Sequence, residues 1–372
     1  MPDNEIPTIA LPLTPYDILG YLAPGGTLLL SCLIFEHFLK AVVAPQLKTV
    51  SWHTPLLSAT KTLYSSSVEP TNSISLALFA ICFAAVAYIT GHVVGSAASI
   101  LLDRALVFKG YGYPYSSLLR LTRDETVPRR FSRAFYRGLF FWINAFILLL
   151  YLGLFLAAPL SFHRLAWWLR HLSYAILLFV AFAIVFKLFV DTKWMRESSR
   201  MHFARTTALT WMARFLDGPY ELVAHPLSKV MNTRNSFDDE FIKTFREKFA
   251  ARFGLRSESA GTNNYWMCYC YVLEECPELR GLVTHWLRMY VFARNLAAAF
   301  YLAFLYCFIW LITEAPALGE HDPRIVAPTL FLPAMLFVSS FLLLLRYYYL
   351  FVSYFTKFIF RAFVYAEAAR SE

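Results

Sequence analysis

The 372-residue chain is 58% hydrophobic and 18% aromatic, and only 16% of its residues are charged, against roughly 25% in a typical soluble domain. Lys and Arg outnumber Asp and Glu by 34 to 25, and the mean hydropathy is +0.49. These totals exclude an ordinary soluble domain and predict an all-α polytopic membrane protein, because several apolar runs approach the twenty or so residues that a spanning helix needs.

In chain order, the first Lys or Arg is Lys40, so the basic start of a cleavable signal peptide is not expected. "TPYD" at 14–17 predicts a short interfacial helix, with Thr14 as N-cap and Pro15 at the first helical position. "PGG" at 24–26 would feed it into the first span. About six transmembrane helices are expected, near residues 22–43, 74–102, 138–160, 172–190, 291–312 and 325–345. The third and fourth read as a tight hairpin with Trp167 and Trp168 at headgroup depth.

Within the second span, Ala87, Gly91, Gly95 and Ser99 recur every fourth residue and form a small ridge on which another helix can approach closely. Tyr88, His92 and Ser96 make the adjacent ridge. His92 therefore has two readings, an interhelical hydrogen bond or a pore-lining and proton-sensing role. Asp103 and Arg104 read as the membrane boundary rather than as a buried ion pair.

Connections 103–137, 191–290 and the tail from 346 carry eight, fourteen and four Lys or Arg; 44–73, 161–171 and 313–324 carry two, two and one. By the positive-inside rule both termini and the long 191–290 segment are expected in the cytoplasm. The expected organisation is threefold. Residues 1–190 form the first section of the membrane domain, with the N-terminal interfacial helix, spans one to four and a basic cytoplasmic loop, 103–137. Residues 191–290 form a cytoplasmic helical domain inserted between spans four and five. Residues 291–372 hold spans five and six and a long cytoplasmic C-terminal helix.

In the inserted segment, "SFDDEFIKTFREKFAARFG" predicts a helix capped by Ser236 and ended by Gly254. Phe237, Phe241, Phe245, Phe249 and Phe253 repeat at i+4 and read as a core-facing stripe, with an oligomer contact or a membrane-surface helix as alternatives. A second helix is expected over 196–216, before a break at 217–219. A third is expected around Pro277. From Ala334 to Glu367 no proline or glycine interrupts the pattern, so the last span should overrun the bilayer. "RYYYLFVSYFTKFIFRAFVYAE" at 346–367 is too aromatic for a solvated tail and should pack on the 191–290 domain or on a neighbouring subunit.

Polar residues inside spans are functional candidates, because lipid penalises them. Glu36 and Lys40 are four apart and can pair on one helical face beside His37; they read as an outer-interface ion pair or as a pore mouth. Asn144 is a candidate interhelical donor, Lys187 a snorkelling lysine, and Pro328 and Pro333 invite a kink. Arg120, Arg123, Arg129, Arg130, Arg133 and Arg137 lie near Tyr115, Phe131, Phe135 and Tyr136. That patch suits anionic lipid, or a nucleotide whose phosphates arginine forks and whose bases aromatics stack.

Cys268, Cys270 and Cys276 with His285 match no common zinc spacing and read as ordinary thiols. Signatures of metalloproteases, P-loop enzymes and serine hydrolases are missing. "GYGYP" at 110–114 reads as a turn. No catalytic residue, metal or cofactor is expected.

The order of "YDILGYLAPGG", "YITGHVVGSAASILLDR", "GYGYP" and "RMYVFARNLAAAF" resembles bacterial six-span proteins of anti-phage defence clusters, among them the membrane effectors of the Hailong system. That resemblance implies an ion-conducting homo-oligomer that depolarises the inner membrane and causes abortive infection. It also implies a nucleotidyltransferase partner whose single-stranded DNA oligomer product holds the channel shut. It implies no catalytic residues. A non-conducting scaffold for a cytoplasmic partner and a small-molecule transporter stay open as alternatives.

Overall fold

The computed structural model describes residues 15–40, 55–67, 73–111, 118–119, 127–157, 171, 178, 185, 210–216, 218, 237–256, 263–318, 323–349 and 354–371. Every regular element among them is helical, as expected for backbone that must satisfy its own hydrogen bonds inside lipid. Helix α1 (Pro15–Asp17) passes through a π-helical turn, Ile18–Leu22, into α2 (Ala23–Phe38). Then come α3 (Pro55–Ser67) and α4 (Ser73–Ala98), which widens into a π-helix over Ser99–Tyr111. Helix α5 (Val127–Ala157) follows, then α6 (Asp239–Phe253) and α7 (Asn263–Glu275). A 3-10 turn, Pro277–Leu279, leads into α8 (Arg280–Leu318), and α9 (Pro323–Tyr349) and α10 (Lys357–Ser371) close the chain.

Among the described residues, five helical stretches are long and apolar enough to cross a membrane: Ile18–Phe38, Ala77–Val107, Phe131–Leu152, Pro277–Leu311 and Thr329–Tyr348. The chain is thus a multi-pass membrane protein. The expected fourth span at 172–190, with its hairpin and Lys187, lies outside the described residues apart from positions 178 and 185. "PGG" at 24–26 is no linker, because it lies inside α2 with Pro24 and Gly25 buried. Helix α8 begins at Arg280 and runs 39 residues unbroken, about 58 Å at the usual rise.

Two packing centres organise the bundle. One lies between α2, α5, α8 and α9, where Phe35, Phe304, Cys307 and Leu330 are buried. The other is aromatic; it gathers α6, α7 and α10 and takes in Tyr290 and Tyr347 from two of the candidate spans. Phe245 and Phe249 of α6 are fully buried against Phe360 and Phe363 of α10, with ring centroids 5.1 to 6.2 Å apart. Each buried Phe contributes about 1.5–3 kcal/mol, so the i+4 stripe is a core. The C-terminal helix covers that stripe and α7 within one chain. The cap of α6 is Asp238, not Ser236: its carboxylate accepts from Phe241 N at 3.1 Å, and Gly254 ends the helix at φ 64°. Ser236 lies outside the described residues.

Candidate functional site

Close helix packing builds the site. A Cβ at Gly91 would overlap the Tyr21 carbonyl, and one at Gly25 would overlap the Ala87 carbonyl, so α4 and the start of the first span touch backbone to backbone. A Cβ at Gly95 would lie 3.0 Å from the Tyr21 ring and 3.1 Å from Asn295 Nδ2. That proximity lets Asn295 of α8, fully buried, donate to the Gly20 carbonyl at 2.6 Å. Ser99 is half-buried at the start of the π segment.

One step further along α8 is a charged cluster. Asp103, in the π segment, accepts hydrogen bonds from Tyr290 Oη at 2.9 Å and from Tyr347 Oη on one oxygen, and pairs with Arg294 on the other. Arg294 Nε donates to Asn295 Oδ1 at 3.0 Å, and its guanidinium lies 5.7 Å from the Tyr290 ring centre. The Tyr290 and Tyr347 rings stack at 5.2 Å. Side-chain exposure is only 9% at Asp103 and 11% at Arg294, so neither charge relies on water. Asp103 is thus a buried ion-pair partner, contrary to the expectation, while Arg104 beside it is exposed. The cluster ties α4's extension, α8 and α9 together where the bundle meets the aromatic domain, since Tyr290, Tyr347 and Phe355 belong to that core.

A second polar cluster lies at the other end. Glu36, fully buried, accepts from Leu56 N at 3.2 Å and Leu57 N at 2.6 Å, the free amides opening α3, and from Tyr306 Oη of α8. The carboxylate therefore caps a helix about twenty residues on, where a negative charge suits the macrodipole. The expected Glu36–Lys40 pair is not formed, because these donors occupy the carboxylate; Lys40 and His37 are exposed.

Other sequence candidates fall apart from these two clusters. His92 is exposed, stacked on Tyr21 at 3.9 Å and edge-on to Tyr88. Asn144 donates to Phe140 O at 2.8 Å on its own helix, not to a neighbouring one. Among the expected base-stacking aromatics, Phe131 and Phe135 are buried against Leu216, and Tyr136 accepts from Lys109 Nζ at 3.3 Å. They are packing residues, because α5 turns this side towards the helical stretch 210–216. Arg133 and Arg137 are half-buried on α5. Arg120, Arg123 and the side chains of Arg129 and Arg130 lie outside the described residues, as does Tyr115.

Cys268 and Cys276 are buried while Cys270 is exposed, and among the described residues no three potential ligands gather to hold a metal. Burial pushes the Cys268 thiol and the Tyr265 hydroxyl well up. Tyr16 is pushed up to about 12 by burial and by its contact with Tyr21.

Arg294, Asn295, Tyr290 and Tyr347 escape the sequence reading. Their signal is present in "RMYVFARN", where Tyr290 and Arg294 stand one turn apart in an apolar run. No protein-family profile, curated protein or solved structure matches the chain.

Proposed function

We propose that this protein is a homo-oligomeric ion channel of the bacterial inner membrane, an anti-phage effector that depolarises the cell. Its cytoplasmic aromatic domain gates it under a nucleotide or single-stranded DNA oligomer made by a nucleotidyltransferase partner. The observation that carries the reading is the Asp103–Arg294 cluster. It spends the buried charge of the membrane helices on closing the domain end of the bundle. Glu36 is likewise saturated at the far end. Charges satisfied within one chain leave a polar path to be built between copies, as a symmetric ring does.

A sixth crossing is supported by the described ends. Tyr151 of α5 packs on Phe304 at the far end, whereas Leu216 packs on Phe131 at the domain end. The apolar run 172–190 is the proposed return crossing between these two ends. The Lys and Arg excess of 103–137 and 191–290 supports a cytoplasmic domain. Arg120, Arg123, Arg129, Arg130, Arg133 and Arg137 are the proposed phosphate contacts.

Proteoliposomes loaded with K⁺ test conduction, with and without added DNA oligomers. Dye-reported efflux that the oligomer suppresses is expected; no efflux in either condition sinks the channel reading. A membrane anchor for a protein partner is the second reading, favoured by an open groove on the aromatic domain.

A further inference from the structure

The groove lies between α6 and α7, has a volume of about 490 Å³ and includes Phe253, Trp266, Met267, Cys270 and Glu274 in its lining, a size in the range of binding clefts. Trp266 is 59% exposed, although its ring edge is fixed against Tyr265 and Tyr269 at 5.4 and 5.7 Å. An exposed, pre-set indole beside a thioether and a phenyl ring offers an anchor for an apolar side chain.

Charge sets the kind of occupant. Three carboxylates border this site, Glu274, Glu275 and Glu367, against two guanidiniums, Arg252 and Arg280, the latter 3.5 Å from the Glu274 carbonyl. Arg252 is already committed, to Glu275 at 3.2 Å, to Glu367 at 3.9 Å and to the face of Tyr271 at 5.0 Å. Glu367 also accepts the Tyr271 hydroxyl. The Glu274 carboxylate makes no hydrogen bond or ion pair among the described residues and is exposed. In a chain of net charge +9, this is a locally acidic, aromatic site.

Its acidic end lies just before the Pro277–Leu311 stretch, whose 35 residues are more than one crossing needs. Arg280 holds the end of α7 through the Leu273 carbonyl at 2.5 Å and stands fourteen residues before Arg294 on α8, about 21 Å of helix. Anionic lipid headgroups and nucleic acid are opposed by the same carboxylates.

We propose that this groove docks a basic, apolar segment of a soluble protein partner, with Trp266 and Met267 holding its apolar side chain and Glu274 its Lys or Arg. The proposal does not depend on conduction.

Cys270 makes the groove its own reporter. The full chain, carrying Cys82→Ser and held in nanodiscs of zwitterionic lipid, is labelled with a water-soluble maleimide while a fluorescent Lys/Leu peptide is titrated. Saturating peptide is expected to slow Cys270 labelling several-fold. Trp266→Ala and Glu274→Lys are each expected to weaken peptide binding about tenfold or more, as loss of an anchor does. The same peptide with Glu in place of Lys, and a short oligo(dT), are expected to leave the labelling rate unchanged. Trp266 and Glu274 are exposed, so both variants keep the fold, checked by thermal unfolding. The proposal is overturned by undiminished Cys270 labelling at saturating peptide, or by equal affinity of both variants and the parent. Protection by the acidic peptide or by oligo(dT) overturns it too and assigns the groove to a polyanion.

Discussion

Removing Arg294 isolates the energy of the buried cluster. In Arg294→Met the Asp103 carboxylate keeps the Tyr290 and Tyr347 hydroxyls but loses its counter-charge in a site where its side chain is 9% exposed. Breaking a buried pair from one side costs about 3–5 kcal/mol, because the remaining charge is stranded. At roughly 2–4 °C per kcal/mol the apparent Tm should fall on the order of 10 °C. Asp103→Leu alone strands Arg294 and two tyrosine hydroxyls, so a fall of similar size is expected. The double variant strands no charge and should be more stable than the summed single losses imply, by about 1.5–3 kcal/mol of coupling. Fluorescence-detected unfolding of all four proteins in one detergent reads the cycle. An Arg294→Met Tm equal to that of the parent, or strictly additive losses in the double variant, refutes the assignment of a coupled buried pair.

Gly91→Ala should lose about 1–3 kcal/mol or more by overpacking, since its Cβ meets the Tyr21 backbone; Gly281→Ala, with nothing within 4 Å of the added atom, should be neutral or slightly stabilising by helix propensity, and paired unfolding curves compare them. Water-soluble maleimide should label Cys270 first and leave Cys32, Cys268, Cys276 and Cys307 silent until denaturation, because those four are buried; mass spectrometry of peptides checks the order. Lys357 is held below the ordinary lysine value by burial and by Arg361. Its charged form is thus disfavoured in the folded state, a penalty fully present at neutral pH and relieved as pH rises through the lowered value. Lys357→Met should therefore stabilise the protein at pH 7, and the gain should shrink in the alkaline range just below the usual lysine value. A gain that is flat from neutral to alkaline pH would count against that cause. Tyr306→Phe removes one of Glu36's three donors and should cost about 0.6–1.7 kcal/mol, the scale of hydrogen bonds between membrane helices.

Elements with a strong local pattern are legible in the sequence. The Phe stripe of α6, the Gly254 stop and the aromatic C-terminal helix follow from 3.6-residue periodicity and from residues with no polar alternative. The small ridge at Gly91 and Gly95 is also visible in the spacing, although its partner, the Tyr21 backbone, is not. Asp103 escapes because its partner lies 191 residues on, and a charge at the end of an apolar run looks like a membrane boundary until that partner is placed. Glu36 escapes for the opposite reason. A plausible partner, Lys40, stands one turn away, yet the backbone amides of a helix twenty residues on compete better for a buried carboxylate. Local spacing ranks near partners first, whereas burial selects the donors that are already desolvated.

Helix α8 belongs to both clusters, and that shared membership constrains any gating movement. Tyr290 and Arg294 hold Asp103 at the domain end, and Tyr306 holds Glu36 at the far end, twelve residues beyond Arg294, or about 18 Å further along. The helix runs unbroken through both sites, so rotation or sliding at the aromatic domain is carried to the Glu36 end instead of being absorbed at a hinge. Breaking the domain-end cluster requires Asp103 and Arg294 to be re-paired or hydrated together, since separating them while dry is prohibitive. A ligand that shifts the resting state must therefore bind the two arrangements with different affinity at the domain surface. On the channel proposed above, conduction by Arg294→Met should accordingly be less sensitive to that ligand than conduction by Tyr306→Phe. Equal sensitivity of the two variants in the liposome assay would break the link between the Asp103 cluster and the gate.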